Sequence, residues 1–416
     1  MIWRPFTQEK IAPPPVKIVR GEGAYLISEN GNKYLDMISS WFVNAHGHSH
    51  PEIAEAIAQQ AKTLEHVIFT KFSHEPAEKL VNGLKQLLPQ TLNKYFFSDN
   101  GSTSMEIAAK MAYQYFQNIG VKNRNIFLAL DGGYHGDTFG AMSLSGVDSI
   151  YRSTFSQLFF KTVTIDVPEY YDGVKDIEQK ENEIIDKLDR TLSDIGDKIC
   201  ALVIEPLLQE AFGMRLHRAQ FLERLVNKVN EYSILVIFDE VMTGFYRTGK
   251  MFAMNHTSVT PDFICLSKAL TGGFLPLALT ITSEKVYDTF LSDDKKKAFL
   301  HGHSYTANPI ACAAACKALE ILTRPEVINR IAEISLFHKN HTFEKVSKRR
   351  SIGIITAFDA SSEEEADFIT DKAWESGIFL RPLGKTIYLF PPYCVSNENL
   401  EKTYDVINQC LSEYAV

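Results

Sequence analysis

Four segments carry residues able to do covalent or acid–base chemistry, and three of them place those residues at the end of an apolar run. In ILVIFDEVMTGFYRTG, Asp239 closes a run of large hydrophobics. A carboxylate there costs desolvation energy unless a cation meets it. Arg247 could be that cation, or Asp239 could cap a helix. A protonated pyridine nitrogen would also answer it, since an aspartate partner keeps such a ring an effective electron sink. In FICLSKALTGGFLPLA, Lys268 follows Leu266 by two residues and precedes Gly272-Gly273. Most lysines are solvated. One set between an apolar strand and a double glycine is placed to be desolvated, which favours the neutral amine that Schiff-base chemistry needs.

In KYFFSDNGSTSMEIAAKMAYQYF, Gly101 and Ser102 open a helix whose first N–H groups and dipole suit a phosphate. Ser and Thr at such a position commonly act only as caps. The turn DGGYHGDTFGAMS offers Tyr134 to cover a planar ring, with His135 and Asp137 beside it. The plain alternative is a glycine-rich turn around a half-buried tyrosine.

The elements that must position these residues show in the hydrophobic pattern. KYFFSD, NIFLAL, ICALVIEP, ILVIFDE and FICLSKA are short apolar runs separated by helical segments. Runs apolar on both faces suit strands inside a mostly parallel sheet, and strand–helix alternation implies right-handed crossovers in an α/β core. Ligands of such sheets collect beyond the carboxyl ends of the strands. Within KYFFSDNGSTSMEIAAKMAYQYF, the buried helix face is expected at Met105, Ala108, Ala109, Ala112 and Phe116. KIVRGEGAYLISENGNKYLDMIS alternates apolar and polar residues around Glu29–Asn32, as a hairpin does. Pro51 begins a helix with Ile53, Ile57, Ala61 and Leu64 on one face. The expected organisation is residues 1–50 as the N-terminal part of a small α+β domain, 51–308 as a large α/β domain, and 309–416 completing the small one.

With 416 residues and a net charge of −8, the chain can bury a large core and lacks the basic face that a nucleic acid would require. No apolar run is long enough to span a bilayer, and MIWRPFTQEK lacks a signal-peptide pattern. Six scattered cysteines fit free thiols of the cytoplasm. His46, His48 and His50 in AHGHSHP imitate a metal set, but a structural turn before Pro51 accounts for them, so no metal is expected. A Walker-type phosphate loop is absent from the sequence.

The order of the four segments resembles the class III, fold type I aminotransferases, and the likeness covers nearly the whole chain: SDNGSTSMEIAAKMA, GGYHGDTFGAMS, IEPLLQEAFGM, FDEVMTGFYRTG, SKALTGG and HGHSYTANPIACA. IWRPFTQ, SSWFVNAHGHSHP and RPLGKTIYLFPPY narrow it to the branch that aminates 8-amino-7-oxononanoate to 7,8-diaminononanoate in biotin biosynthesis. This resemblance implies pyridoxal 5'-phosphate as cofactor, held by Gly101, Ser102, Tyr134, Asp239 and the Schiff-base Lys268. It implies a homodimer in which Gly302, His303 and Ser304 cross the interface, with Ser304 reaching the partner's phosphate. It also implies a substrate pocket of Phe6, Trp41, Phe42, Tyr134, Asp137, Lys268, Gly302 and Arg381.

Trp41 and Phe42 suit an apolar chain, and Arg381 is a two-pronged clamp for a carboxylate. Phe6 departs from the tyrosine, and Phe42 from the second tryptophan, frequent in members that use S-adenosylmethionine. The expected donor is S-adenosylmethionine, with lysine the alternative. A general ω-aminotransferase acting on ornithine or 4-aminobutyrate shares the cofactor residues but does not need Trp41, Phe42 and Arg381 together. A cofactor-binding protein without catalysis should have lost Lys268 or Asp239, and both are present.

Overall fold

The computed structural model describes residues 2–146 and 150–414. Among these, the largest sheet has seven strands in the order Leu92–Ser98, Ala278–Ser283, Phe263–Leu266, Leu235–Asp239, Ile199–Ile204, Ile126–Leu130 and Thr162–Ile165. Ala278–Ser283 runs antiparallel to both neighbours, and the remaining pairs are parallel. The runs that are apolar on both faces are buried along their full length. Helices cover both faces and leave them no solvent to meet. The carboxyl ends of these strands therefore share one rim, where Asp99, Glu205, Asp239 and Lys268 close or follow their strands.

The helix Gly101–Asn118 buries Met105, Ala108, Ala109, Ala112 and Phe116 against the sheet, the face its spacing predicts. The helix Pro51–Thr63 departs from expectation. Ile53 is buried, Ile57 is partly buried and Ala61 is exposed. It is a surface helix with a narrow contact, in which Ile53 packs with Ala314, Ala318 and Ile321 of the alanine-rich helix Pro309–Leu322.

Near the N-terminus, strands Ile18–Glu22, Tyr25–Ser28 and Lys33–Asp36 form an antiparallel meander. Gly31, at φ +82°, lies in its second turn, where a Cβ would be strained. Strand Ile378–Phe379 adds in parallel to Lys33–Asp36, with Ile378 opposite Leu35 and Phe379 opposite Asp36. Two further backbone bonds continue the seam: Phe390 N–H donates to Met37 O at 2.7 Å, and Tyr393 N–H to Ala45 O at 2.8 Å. These contacts bring Arg381 to Trp41. A second antiparallel sheet, Ser347–Ile352, Ile355–Asp359 and Thr386–Leu389, is flanked by helices Glu363–Glu375 and Asn397–Tyr414. Among the described residues no helix is long and apolar enough to cross a membrane.

Candidate active site

At the strand-end rim, two cavities of about 480 and 490 Å³ meet and share Val43, Tyr134, Gly136, Glu210 and Lys268. The inner one is floored by Asp239 and walled by Gly101 and Ser102. The outer one runs past Trp41 and Phe42 to Arg381, with Phe6 and Asp137 also in its lining.

Asp239 ends its strand 5% exposed, and its partner is not Arg247. One carboxylate oxygen faces His135 Nδ1 at 2.7 Å, and the other accepts from Val241 N–H at 3.1 Å. Arg247 is fully buried elsewhere. It donates to the carbonyls of Phe42 and Asn44 at 2.9 and 3.2 Å and lies over the rings of Phe390 and Tyr393. It therefore braces the outer cavity and leaves Asp239 to a different cation.

Lys268 begins a short turn two residues beyond its strand, with φ +47°, a left-handed conformation that a side chain adopts only when its surroundings hold it. Its ammonium pairs with the Glu210 carboxylate and sits 5.1 Å from the centroid of the Phe42 ring. The double glycine after it has a clear purpose. A Cβ on Gly273 would lie 3.0 Å from the backbone of Val43 and Asn44, so the bare glycine lets the lysine loop press against the outer-cavity turn.

The Gly101–Ser102 helix start is capped by a reciprocal pair. Thr103 N–H donates to Asn100 Oδ1, and Asn100 N–H donates to Thr103 Oγ1. Because Asn100 and Thr103 do the capping, the Ser102 hydroxyl is released to accept from Asp137 N–H at 3.2 Å. Gly136 packs on Ser102 so closely that any Cβ would collide with its side chain. Tyr134 is held at both ends: its N–H donates to Glu205 Oε2 and its hydroxyl to Asp137 Oδ2, each at 2.9 Å. Burial, helped by the nearby Glu210 charge, pushes its phenol well up, so it stays protonated.

Trp41 and Phe42 lie on an uncommon piece of backbone. Ser39, Ser40, Trp41 and Phe42 are all left-handed, at φ +50°, +46°, +68° and +71°. Each such residue costs about 1–2 kcal/mol, so the turn needs outside support. Ser39 Oγ donates to Phe390 O at 2.7 Å, and Ser40 Oγ to Asp36 Oδ2 at 2.7 Å, while Arg247 holds the far end. His48 Nε2 is 2.9 Å from the same Asp36 oxygen, and His46 is buried beside Tyr393, so these two histidines brace the turn. Arg381 rests on Trp41 with its guanidinium carbon 4.3 Å from the ring centroid, and Phe6 meets the same indole edge-on at 5.4 Å.

Gly302, His303 and Ser304 line neither cavity. Gly302 and Ser304 are exposed, and His303 is engaged with its own turn through Thr306 and Tyr305. Two carboxylates that line the inner cavity escaped the sequence reading, Glu205 and Glu210. Glu205 accepts from the N–H groups of Tyr134 and Glu210, fixing both turns, and burial raises its carboxyl well above the usual range. The signal was present in IEPLLQE: Glu205 follows a fully buried strand just as Glu240 does, and the desolvation argument made for Asp239 applies to it.

An amine, a buried carboxylate beneath it, a helix N-terminus and an aromatic ring converge on one cavity. That donor set fits a phosphorylated, planar, nitrogen-containing carbonyl compound. The chain matches the family model Aminotransferase class-III over residues 6–411. It is 47% identical to an adenosylmethionine-8-amino-7-oxononanoate aminotransferase of Synechococcus elongatus, covering 99% of this chain and 98% of that one. Its Helicobacter pylori counterpart of the same name is 37% identical, over 99% and 96%. Among solved structures, the enzyme of that name from Methanocaldococcus jannaschii superposes with a TM-score of 0.91 at 34% identity, covering 99% and 97% of the two chains. A Pseudomonas amine transaminase in its PLP-bound form gives 0.90 at 27% identity, over 99% and 98%.

Proposed function

The chain belongs to the class-III aminotransferases, and from that premise we propose that it aminates 8-amino-7-oxononanoate to 7,8-diaminononanoate in biotin biosynthesis. The observation that carries this reading is the outer cavity. It has Lys268 at one end, Arg381 at the other and Trp41 and Phe42 between. The acceptor has the same order: a ketone to be aminated, an apolar chain, then a carboxylate. The chain covers 98% of its Synechococcus relative, which supports taking the whole activity across.

Pyridoxal 5'-phosphate is the cofactor, and when bound it supplies the electron sink that stabilises charge on the substrate's nitrogen-bearing carbon. Gly101 and Ser102 would hold its phosphate and Tyr134 would lie against its ring. Asp239, oriented by His135, would keep a proton on the ring nitrogen. Lys268 Nζ would anchor the group, and as a free amine it would take the proton from the donor's nitrogen-bearing carbon and later deliver one to C7 of the acceptor. Arg381 orients the acceptor by its carboxylate, while Trp41 and Phe42 exclude water along the chain. The donor is S-adenosylmethionine, in keeping with the names of the relatives, and lysine is the alternative because Phe6 offers an edge-on ring and no hydroxyl at the mouth.

The enzyme works in the cytoplasm as a homodimer, with Ser304 completing the partner's phosphate site; the exposure of Ser304 outside its own cavity supports this. Lys268→Ala tests the assignment. Turnover should be abolished while non-covalent cofactor binding persists, and near-normal turnover would overturn it.

A further inference from the structure

Lys268 can serve only one partner at a time. In this structure its ammonium is taken by Glu210, whose side chain is 9% exposed and lies in the wall shared by both cavities. Whenever Lys268 is engaged in the reaction, that buried carboxylate loses its cation. A buried carboxylate without a partner is costly, so the site then demands a second cation at the same place.

The acceptor supplies one. In an 8-amino-7-oxo acid, the carbon beside the reacting ketone bears an ammonium group. With the ketone at Lys268, that ammonium falls one bond further along, within the reach of a group in contact with Lys268 Nζ. We propose that Glu210 is the recognition residue for this ammonium and takes it up in place of Lys268. The inference rests on the acceptor assignment given above. The outer cavity then repeats the substrate's charges in order, with Glu210 at the inner end, apolar rings between and Arg381 at the outer end.

Glu205 pins the Glu210 backbone N–H at 2.7 Å, so the carboxylate does not drift when its partner changes. Burial raises the Glu210 carboxyl despite the opposing pull of Lys268. Asp137 is the other carboxylate lining the outer cavity, but its side chain is already tied to the Tyr134 hydroxyl at 2.9 Å.

The test is a binding measurement on Lys268→Ala loaded with the aminated cofactor, pyridoxamine 5'-phosphate, which has no aldehyde to condense with the ligand's amine and cannot turn over. Calorimetry would compare 8-amino-7-oxononanoate with 7-oxononanoate, the same acid without the amine. The aminated ligand should bind about tenfold or more tightly, as a charge-assisted hydrogen bond allows. Adding Glu210→Gln, which preserves shape, should erase that preference, whereas adding Asp137→Asn should leave it. A preference that survives Glu210→Gln, or disappears with Asp137→Asn instead, overturns the proposal and leaves the acceptor assignment standing. If neither keto acid binds while ornithine or 4-aminobutyrate does, the acceptor assignment fails and the proposal falls with it.

Discussion

The guanidinium of Arg381 lies 4.3 Å from the centroid of the Trp41 indole, so the cation proposed to clamp the acceptor's carboxylate is itself held by the ring proposed to line the acceptor's path. Arg381→Ala should raise KM for the acceptor by about 10- to 100-fold, the range expected when a charged hydrogen-bonding partner is lost. Arg381→Lys should recover only part of this, because an ammonium neither forks nor stacks flat. Trp41→Ala should weaken acceptor binding and, in a double-mutant cycle with Arg381→Ala, show a coupling of about 0.5–1 kcal/mol. Strict additivity would contradict the stacked arrangement.

Asp239 and His135 make a second pair, 2.7 Å apart and both buried. Asp239→Asn should lower kcat by about 10²- to 10³-fold, the loss typical of removing one preorganised electrostatic group from a closed site. His135→Phe should give a smaller loss of the same kind, since Asp239 would remain but lose its orientation. Steady-state kinetics with saturating cofactor check both, and an unchanged kcat in Asp239→Asn would remove it from the ring-nitrogen role.

The proposed cofactor cradle depends on a missing Cβ. Gly136 has φ +115° and packs on the Ser102 side chain. Gly136→Ala should strain the backbone and displace Ser102, so the purified protein should retain little cofactor after gel filtration. Cofactor content measured by absorbance would show this, and full retention would mean that the turn yields more readily than its packing implies.

Much of this site was legible in the residues alone, and the reason is desolvation. Asp239 and Lys268 stand out because each ends an apolar run, where a charge requires an explanation. Gly272 and Gly273 signal a close approach, and the structure shows Gly273 against Val43 and Asn44. What could not be read were pairings between distant segments. Arg247 looked like a partner for Asp239 because it is near in sequence, but it crosses to the carbonyls of Phe42 and Asn44. The left-handed turn at Ser39–Phe42 also left no trace in composition, since none of those residues is a glycine and the support comes from Asp36, Phe390 and Arg247. Glu210 was missed because nothing local shows that its loop reaches Lys268.

Two buried groups far from one another should tilt stability against pH in opposite senses. Burial lowers His338 from 6.5 to about 3, so the folded protein keeps it neutral while the unfolded chain protonates it. Its contribution is fully present above pH 6.5 and is lost as pH falls toward 3. Burial raises Glu240 from 4.5 to about 7, although it accepts from Ala253 and Met254 N–H at 2.6 and 2.8 Å. Its contribution is present below pH 4.5 and is lost as pH rises through 7. Relative to the parent, His338→Asn should therefore gain less stability between about pH 5 and 6.5, and Glu240→Gln should gain more. Urea midpoints across that window check the two signs, and slopes that move together would contradict them.

Amino transfer to 8-amino-7-oxononanoate is tested most directly by product formation with the purified, cofactor-loaded enzyme. The protein would be incubated first with S-adenosylmethionine or lysine alone, freed of excess donor, and then given the keto acid. Mass spectrometry would follow 7,8-diaminononanoate. One of the two donors should charge the enzyme, and the keto acid should then leave as the diamine in an amount matching the enzyme present. No diamine from either donor, with ready amino transfer from ornithine or 4-aminobutyrate instead, would contradict the account and move the enzyme to another branch of its family.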